Sequence, residues 1–296
     1  MLIDAVGNTP LVRLTRVVRE VVRDGVEVWA KLERFNPGGS VKDRAASAII
    51  RDAAPRLKPG QRLLDSSSGN TGIAYGMFAA AMGLELTLCL PRNANRERKR
   101  ILGAYGVRVV ETDPLEGSDG AIRAARALAA DEPDRYLYLD QYSNPENWRA
   151  HHRGTAPEIW RQTQGRVTHW VAGLGTTGTF VGTTRRLREL NPMLYAASVE
   201  PDGPFHGLEG LKHLPTAMTP AIWDPTLPDE RLEAPTEESL ELMRRLGREE
   251  GILVGPSGGA ALWAAMELAR RLDRGVVVTL FPDSGERYLS EDHLWT

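Results

Sequence analysis

Arg62-Leu-Leu-Asp-Ser-Ser-Ser-Gly-Asn-Thr-Gly-Ile-Ala-Tyr-Gly-Met-Phe-Ala-Ala-Ala-Met82 passes from a short apolar run, through a corner of small polar residues, into an alanine-rich segment stopped by Gly83. Read by length and flanking residues, this is a strand over 62–65 followed by a helix over 70–82. The same alternation recurs along most of the chain. Strands are expected over 26–32, 85–90, 108–111, 136–139, 169–172, 195–199, 252–254 and 275–280. Helices are expected over 42–54, 95–105, 119–130, 179–190, 236–249 and 258–271. Repeated βα units of this kind predict an α/β fold with a mainly parallel sheet.

The chain's 296 residues suit two domains, or one large unit with an embedded lobe. The division is expected near 142–147, just after the fifth strand. Lys and Arg number 37 against 39 Asp and Glu, so bulk charge implies no basic face, and neither nucleic acid nor an anionic membrane is the expected partner. A small ligand is expected. The N-terminal residues lack a basic stretch followed by an apolar one, and no uncharged apolar run reaches 18 residues, which predicts a cytoplasmic protein. Cys89, the single cysteine, lies in an apolar run where a thiol behaves as a small buried hydrophobe. The longest irregular region is 201–233, which carries Pro201, Pro204, Pro215, Pro220, Pro225 and Pro228; a loop of that length is more often packed over a site than idle.

Three glycine-rich corners offer chemistry. Ala172-Gly-Leu-Gly-Thr-Thr-Gly-Thr179 follows a strand and opens a helix, so its N–H groups can surround an anion, with the hydroxyls of Thr176, Thr177 and Thr179 as further donors. Gly173, Gly175 and Gly178 also fit GxGxxG, and Glu200 ends the next strand where a ribose ligand is expected, so a nicotinamide-dependent oxidoreductase is a rival and a plain tight turn another. Gly255-Pro-Ser-Gly-Gly259 fits the GxSxG nucleophile elbow, with Asp283 and His293 in hydrolase order, but one strand-like run remains after Ser257 where that fold needs several. In Asp65-Ser-Ser-Ser-Gly-Asn-Thr-Gly72, the side chains of Ser67, Ser68, Asn70 and Thr71 and the helix-start N–H groups can hold a carboxylate. The alternative is an ordinary helix-capping cluster.

Lysine is scarce: Lys31, Lys42, Lys58, Lys99 and Lys212. Lys99 lies in a charge run, Lys58 precedes Pro59 in a turn, and Lys31 belongs to a strand. Lys42 differs, because Asn36-Pro-Gly-Gly-Ser-Val-Lys-Asp-Arg44 places it where a helix begins, after glycines and among short polar side chains. An amine partly desolvated at a positive helix end has its pKa pushed down, as imine formation requires.

Asn36-Pro-Gly-Gly-Ser-Val-Lys-Asp-Arg44, Ser67-Ser-Gly-Asn-Thr-Gly72, Gly175-Thr-Thr-Gly-Thr179 and Gly255-Pro-Ser-Gly-Gly259 occur in the order and spacing of the cysteine synthase family. The chain resembles an O-acetylserine sulfhydrylase of the B type, among the fold-type II pyridoxal-phosphate enzymes. The likeness runs from Gly7-Asn-Thr-Pro-Leu-Val12 to Pro282-Asp-Ser-Gly-Glu-Arg-Tyr-Leu-Ser290. It implies two lobes, each with a mainly parallel twisted sheet flanked by helices, as in the tryptophan synthase β-like fold. Residues 36–144 would form the N-terminal lobe with the cofactor lysine and a mobile part near 85–130. Residues 1–35 and 145–296 would form the C-terminal lobe with the phosphate loop.

The resemblance also implies residue roles. Lys42 would carry pyridoxal 5'-phosphate as an aldimine, then remove and return the substrate's α-proton. Asn70 would bond the cofactor ring oxygen, Gly175, Thr176, Thr177, Gly178 and Thr179 would hold its phosphate, and Ser257 would face the pyridine nitrogen. Ser67, Ser68, Asn70, Thr71 and Gln141 would clamp the amino-acid carboxylate. The implied reaction is β-replacement of O-acetylserine or O-phosphoserine through an α-aminoacrylate, by sulfide or a donor such as thiosulfate, to give L-cysteine or S-sulfocysteine. A cystathionine β-synthase-type replacement is the alternative within the family.

Relatives that dehydrate serine or threonine usually read Phe-Lys-x-Arg-Gly-Ala around the lysine, and this chain reads Val41-Lys-Asp-Arg-Ala-Ala46. The pair Thr176-Thr177 stands where many members have Thr-Gly, and Asp65 stands where a glutamate or a proline-containing run is common. Gly207-Leu-Glu-Gly-Leu-Lys-His213 resembles the segment in which B-type enzymes carry a basic residue near the substrate, so Lys212 either meets an O-phosphate or sulfonate or is a solvated loop lysine. The family implies a homodimer, with a thiocarboxylated sulfur-carrier protein as one candidate donor. No metal site is expected: His151 and His152 are adjacent, without metal-ligand spacing, and read as a helix surface.

Overall fold

A computed structural model describes residues 1–67 and 69–296. Its strands are β1 (Leu11–Leu14), β2 (Val26–Leu32), β3 (Arg62–Ser66), β4 (Leu86–Pro91), β5 (Arg108–Thr112), β6 (Tyr136–Tyr138), β7 (His169–Gly173), β8 (Tyr195–Pro201), β9 (Glu230–Ala234) and β10 (Gly275–Phe281). Its α-helices are α1 (Lys42–Ala53), α2 (Asn70–Ala81), α3 (Arg96–Ala104), α4 (Gly117–Asp131), α5 (Pro145–Ala150), α6 (Ala156–Gln162), α7 (Gly178–Leu190), α8 (Thr236–Arg245) and α9 (Pro256–Arg270). Single π-helical turns follow α5, at His151–Thr155, and α8, at Leu246–Glu250. None of the described helices is long and apolar enough to cross a membrane.

The chain divides into two compact units, one of Met1–Val6 with Lys42–Asn147 and one of Gly7–Val41 with Trp148–Thr296. Both are α/β units built on mainly parallel sheets. In the first unit the strand order is β5-β4-β3-β6, every pairing parallel. Alternate residues serve opposite faces: Leu63, Leu88 and Leu90 pack with Ile49, Ile50, Ala74 and Phe78 of α1 and α2, whereas Leu64 and Cys89 pack with Ala121 and Ala125 of α4. A sheet covered on both faces needs apolar residues at successive positions, which is why β4 reads Leu-Thr-Leu-Cys-Leu and is wholly buried.

The second unit has the order β1-β2-β10-β7-β8-β9, with β1 antiparallel to β2 and the other pairings parallel. Val171, Val277 and Phe281 face α8 and α9, and Trp170, Ala172 and Val278 face α6 and α7. In each unit the strand order reverses direction once, between β3 and β6 in the first and between β7 and β10 in the second. Helices leave to opposite faces at such a point and open a crevice beyond the carboxyl ends of the strands, where α/β sheets bind ligands. The Ser67 corner follows β3, and the Gly175 corner follows β7.

Four sequence expectations are corrected. Residues 252–254 are not a strand: Gly251 closes the π turn in a left-handed conformation (φ 68°) and the Ile252 N–H bonds back to the Leu246 carbonyl. β9 lies inside the stretch read as irregular, because pairing with β8 imposes extended backbone on a polar edge segment. Residues 145–162, unassigned by periodicity, are helical. His151 is not a surface residue but 1% exposed.

Candidate active site

In the first unit, Lys42 and Asn70 are the opening residues of α1 and α2, two helices that pack against each other. The Ser67 Oγ accepts the N–H groups of Gly69 (3.3 Å) and Gly72 (3.0 Å), and a Cβ on Gly72 would stand 2.8 Å from the Ser67 carbonyl oxygen. This hydroxyl therefore caps backbone N–H groups at the start of α2. Thr71 is buried on the first turn of α2. Ser68 lies outside the described residues.

Gln141 follows β6, on the far side of β3 from β4. Its Nε2 donates to the Ser66 carbonyl (2.8 Å), its carbonyl accepts from Asn147 Nδ2 (2.7 Å), and its N–H donates to Asp65 Oδ2 (3.2 Å). Asp65 Oδ1 accepts the Ser66 N–H (2.7 Å). One buried carboxylate thus ties both sides of the crevice, an explanation that the sequence alone left open. Burial pushes the Asp65 carboxyl up to about 7, against those two N–H groups, which favour its charged form. Burial raises the hydroxyl pKa of Tyr75, Tyr138 and Tyr142, and the charge of Asp65 adds to it. The Cys89 thiol is pushed up to about 11 by burial, in keeping with a packing role.

In the second unit, the segment that delivers the chain to Lys42 is held from several sides. Asn36 Oδ1 accepts the Gly7 N–H (2.9 Å) and its Nδ2 donates to Glu33, whose Oε1 accepts from Thr9 (2.7 Å). The Arg287 guanidinium donates to the Gly38 carbonyl, and the Val41 N–H donates to the Pro282 carbonyl (2.8 Å). Gly7-Asn-Thr-Pro10 and Pro282-Asp-Ser-Gly285 thus brace one loop.

The corner after β7 is close-packed and strained. A Cβ on Gly175 would lie 2.5 Å from the Gly210 carbonyl oxygen, and one on Gly173 would lie 2.5 Å from a Leu211 methyl. The Lys212 N–H donates to the Leu174 carbonyl (2.8 Å), so residues 210–212 lie against this corner. Thr177, the residue before α7, has φ 69°, a left-handed conformation that a β-branched residue adopts only under constraint. It is 2% exposed, and its Oγ1 has no hydrogen-bond partner. Thr179 Oγ1 lies 3.2 Å from His151 Nε2. Ser257 is buried in the first turn of α9, and a Cβ on Gly210 would lie 3.7 Å from its Oγ.

The rival readings lose their residues. Glu200 Oε2 accepts the Leu214 N–H (2.9 Å) and so anchors the covering loop instead of waiting for a ribose. Asp283 accepts from Tyr288 (2.7 Å), while His293 is exposed near the C-terminus, so no hydrolase triad forms with Ser257.

Residues 2–283 match the family of pyridoxal-phosphate dependent enzymes. A cysteine synthase of Aquifex aeolicus is 50% identical over 96% of this chain and 89% of its own length. The chain belongs to the cysteine synthase family. A cysteine synthase B of Salmonella typhimurium shares 41% identity over 96% of this chain and 93% of its own. The crystal structure of a cysteine synthase from Entamoeba histolytica superposes with a TM-score of 0.94 at 33% identity, over 100% of this chain and 90% of that one. As a member of this cysteine synthase family, the chain is a pyridoxal-phosphate enzyme of fold type II. Its residues fit that cofactor. An acceptor-only phosphate suits helix-start N–H groups beside a buried Thr177 hydroxyl that has no hydrogen-bond partner among the described residues.

Proposed function

We propose that this enzyme replaces the β-substituent of O-acetylserine, or of O-phosphoserine, with a sulfur nucleophile to make L-cysteine. The observation that carries the reading is Thr177: a strained residue with an orphaned buried hydroxyl at the start of α7, which is the chemistry of a phosphate cradle. Gly175, Thr176, Thr177, Gly178 and Thr179 would hold the cofactor phosphate, Lys42 would hold its carbonyl carbon, Asn70 would bond its ring oxygen, and Ser257 would meet its ring nitrogen. The bound cofactor supplies an electron sink for charge developing at the substrate's α-carbon.

The chain's own groups do the rest. Ser67, Ser68, Asn70, Thr71 and Gln141 bind the substrate carboxylate through hydroxyls, amides and helix-start N–H groups, without a fixed cation. Lys42 Nζ, released as a free amine when the substrate's amino group takes its place, takes the α-proton, the bond from β-carbon to oxygen breaks, and acetate or phosphate departs with the bonding pair. The sulfur nucleophile then forms the bond to the β-carbon, and Lys42 returns a proton to the α-carbon. Ser257 would face the ring nitrogen with a neutral hydroxyl, which, unlike a carboxylate, does not hold a proton there. Water must be excluded between the half-reactions, and we assign that closure to residues 85–130.

The physiological form in this reading is a cytoplasmic homodimer, with sulfide, thiosulfate or a thiocarboxylated carrier protein as donor. The test is spectroscopic. Purified enzyme is expected to show a visible absorption band that borohydride abolishes and that Lys42→Ala lacks, and O-acetylserine is expected to shift the band to longer wavelength. Cysteine should then appear on adding sulfide. A protein that stays colourless with pyridoxal phosphate supplied would overturn the assignment, and cystathionine formed from homocysteine in preference to cysteine from sulfide would move it to the family's other activity.

A further inference from the structure

Behind the phosphate corner lies a buried imidazole that the reaction above does not use. His151 Nε2 is 3.2 Å from Thr179 Oγ1, and its Nδ1 is 2.9 Å from Thr155 Oγ1. The ring is 1% exposed and sits at the start of the π-helical turn His151–Thr155, a local rewinding that recurs at functional sites. Gly182, three residues beyond Thr179 on α7, explains how the ring reaches its partner. A Cβ there would overlap the Trp148 carbonyl oxygen and come within 2.9 Å of the His151 Cβ, so only glycine lets the two segments approach this closely.

We propose that His151 is a positioning residue that sets the direction of the Thr179 hydroxyl toward the cofactor phosphate; this rests on the cofactor reading of the corner. The argument is one of proton counting. A phosphate dianion has acceptors only, so Thr179 must spend its one O–H on it. The Thr179 oxygen is then left to accept, and the group placed to donate is His151 Nε2–H. A neutral imidazole with its proton on Nε2 has a bare Nδ1, which must accept, and Thr155 Oγ1 is placed to donate to it. The relay runs Thr155 O–H to Nδ1, Nε2–H to Thr179 Oγ1, and Thr179 O–H to phosphate. For a neutral ring, each direction follows from the acceptor-only end. The opposite tautomer would aim the Thr179 proton back at the ring and present a lone pair to the phosphate.

The test is a cofactor titration of apoenzyme, read by absorbance, across wild type, His151→Leu, His151→Gln, Thr179→Val and the His151→Leu/Thr179→Val double variant. Loss of one oriented hydrogen bond is expected to weaken pyridoxal phosphate binding roughly tenfold in His151→Leu. His151→Gln, whose amide N–H stands near the Nε2 position, is expected to recover most of that. The loss should vanish in the Thr179→Val background, where there is no hydroxyl left to orient. Equal losses in both backgrounds, or none in either, would overturn the relay. Nitrogen NMR of the imidazole in wild-type holoenzyme decides independently of how the variants fold: a proton on Nε2 is expected, and one on Nδ1 overturns the proposal. Wild-type apoenzyme that takes up no cofactor would instead bring down the cofactor reading on which the relay stands.

Discussion

The carboxylate of Asp65, at the end of β3, accepts the backbone N–H of Gln141, which follows β6, across a distance of 3.2 Å. Both residues stand where the first unit's strand order reverses, so this bond spans the crevice in which the substrate carboxylate is proposed to lie.

Its pH dependence is testable. Burial raises the Asp65 carboxyl from 3.8 to about 7, so between those values the folded state holds a proton that the unfolded chain has released. Stability from this group is complete below the unfolded value and is lost as pH rises through the folded one. Asp65→Asn does not titrate, and the stability of wild type relative to this variant should fall by up to about 4 kcal/mol between roughly pH 4 and pH 8. Urea denaturation across that range measures it; parallel curves would sink the assignment.

Thr177 offers two effects of opposite sign. Glycine adopts φ near 69° without a Cβ penalty, so Thr177→Gly should stabilise apoenzyme by about 1 kcal/mol. The same change removes a buried hydroxyl from the proposed phosphate cradle and should weaken pyridoxal phosphate binding roughly tenfold. Thermal unfolding and cofactor titration separate the two. Unchanged cofactor affinity would mean that the hydroxyl faces no phosphate.

Gly259 lies where α9 meets α8, and a Cβ there would overlap the Ser239 carbonyl oxygen. We expect Gly259→Ala to cost about 1–3 kcal/mol by forcing the helices apart. The displaced α9 also carries Ser257, so the absorption band of bound cofactor should shift. A lower denaturation midpoint with an unaltered spectrum would show that α9 adjusts without moving its first turn.

Lys212 is joined to the corner after β7 through its backbone, whose N–H donates to the Leu174 carbonyl. If its ammonium meets the substrate's leaving group, Lys212→Ala should depress kcat/KM for O-phosphoserine at least tenfold more than for O-acetylserine, because only the former presents a dianion. Equal losses for the two donors would leave Lys212 a loop residue.

Much of the architecture is legible in periodicity. Strands such as β4 and β10 are buried on both faces, so their apolar runs stand out, and the glycines of the corners mark where strand gives way to helix. Periodicity does not mark 11–14 and 230–234 as strands, because each is an edge strand whose extended form is imposed by pairing with a neighbouring strand. The helical stretch 145–162 escaped for a related reason. Among its inward residues Asn147, His151 and Thr155 are polar and buried, so no continuous apolar stripe announces them.

By itself the sequence determined the α/β class, the family and the order of the site motifs, since these rest on local composition and spacing that any member must satisfy. Tertiary structure decided what each polar residue is for. It showed Glu200 anchoring a loop, Ser67 capping a helix, Asp65 bridging the ends of two strands and His151 lying behind Thr179. A hydrogen bond is short and directional, and its two partners are often separated by dozens of residues. One sequence supplies the donor and the acceptor, and only the packed chain brings them within 3 Å or so of each other.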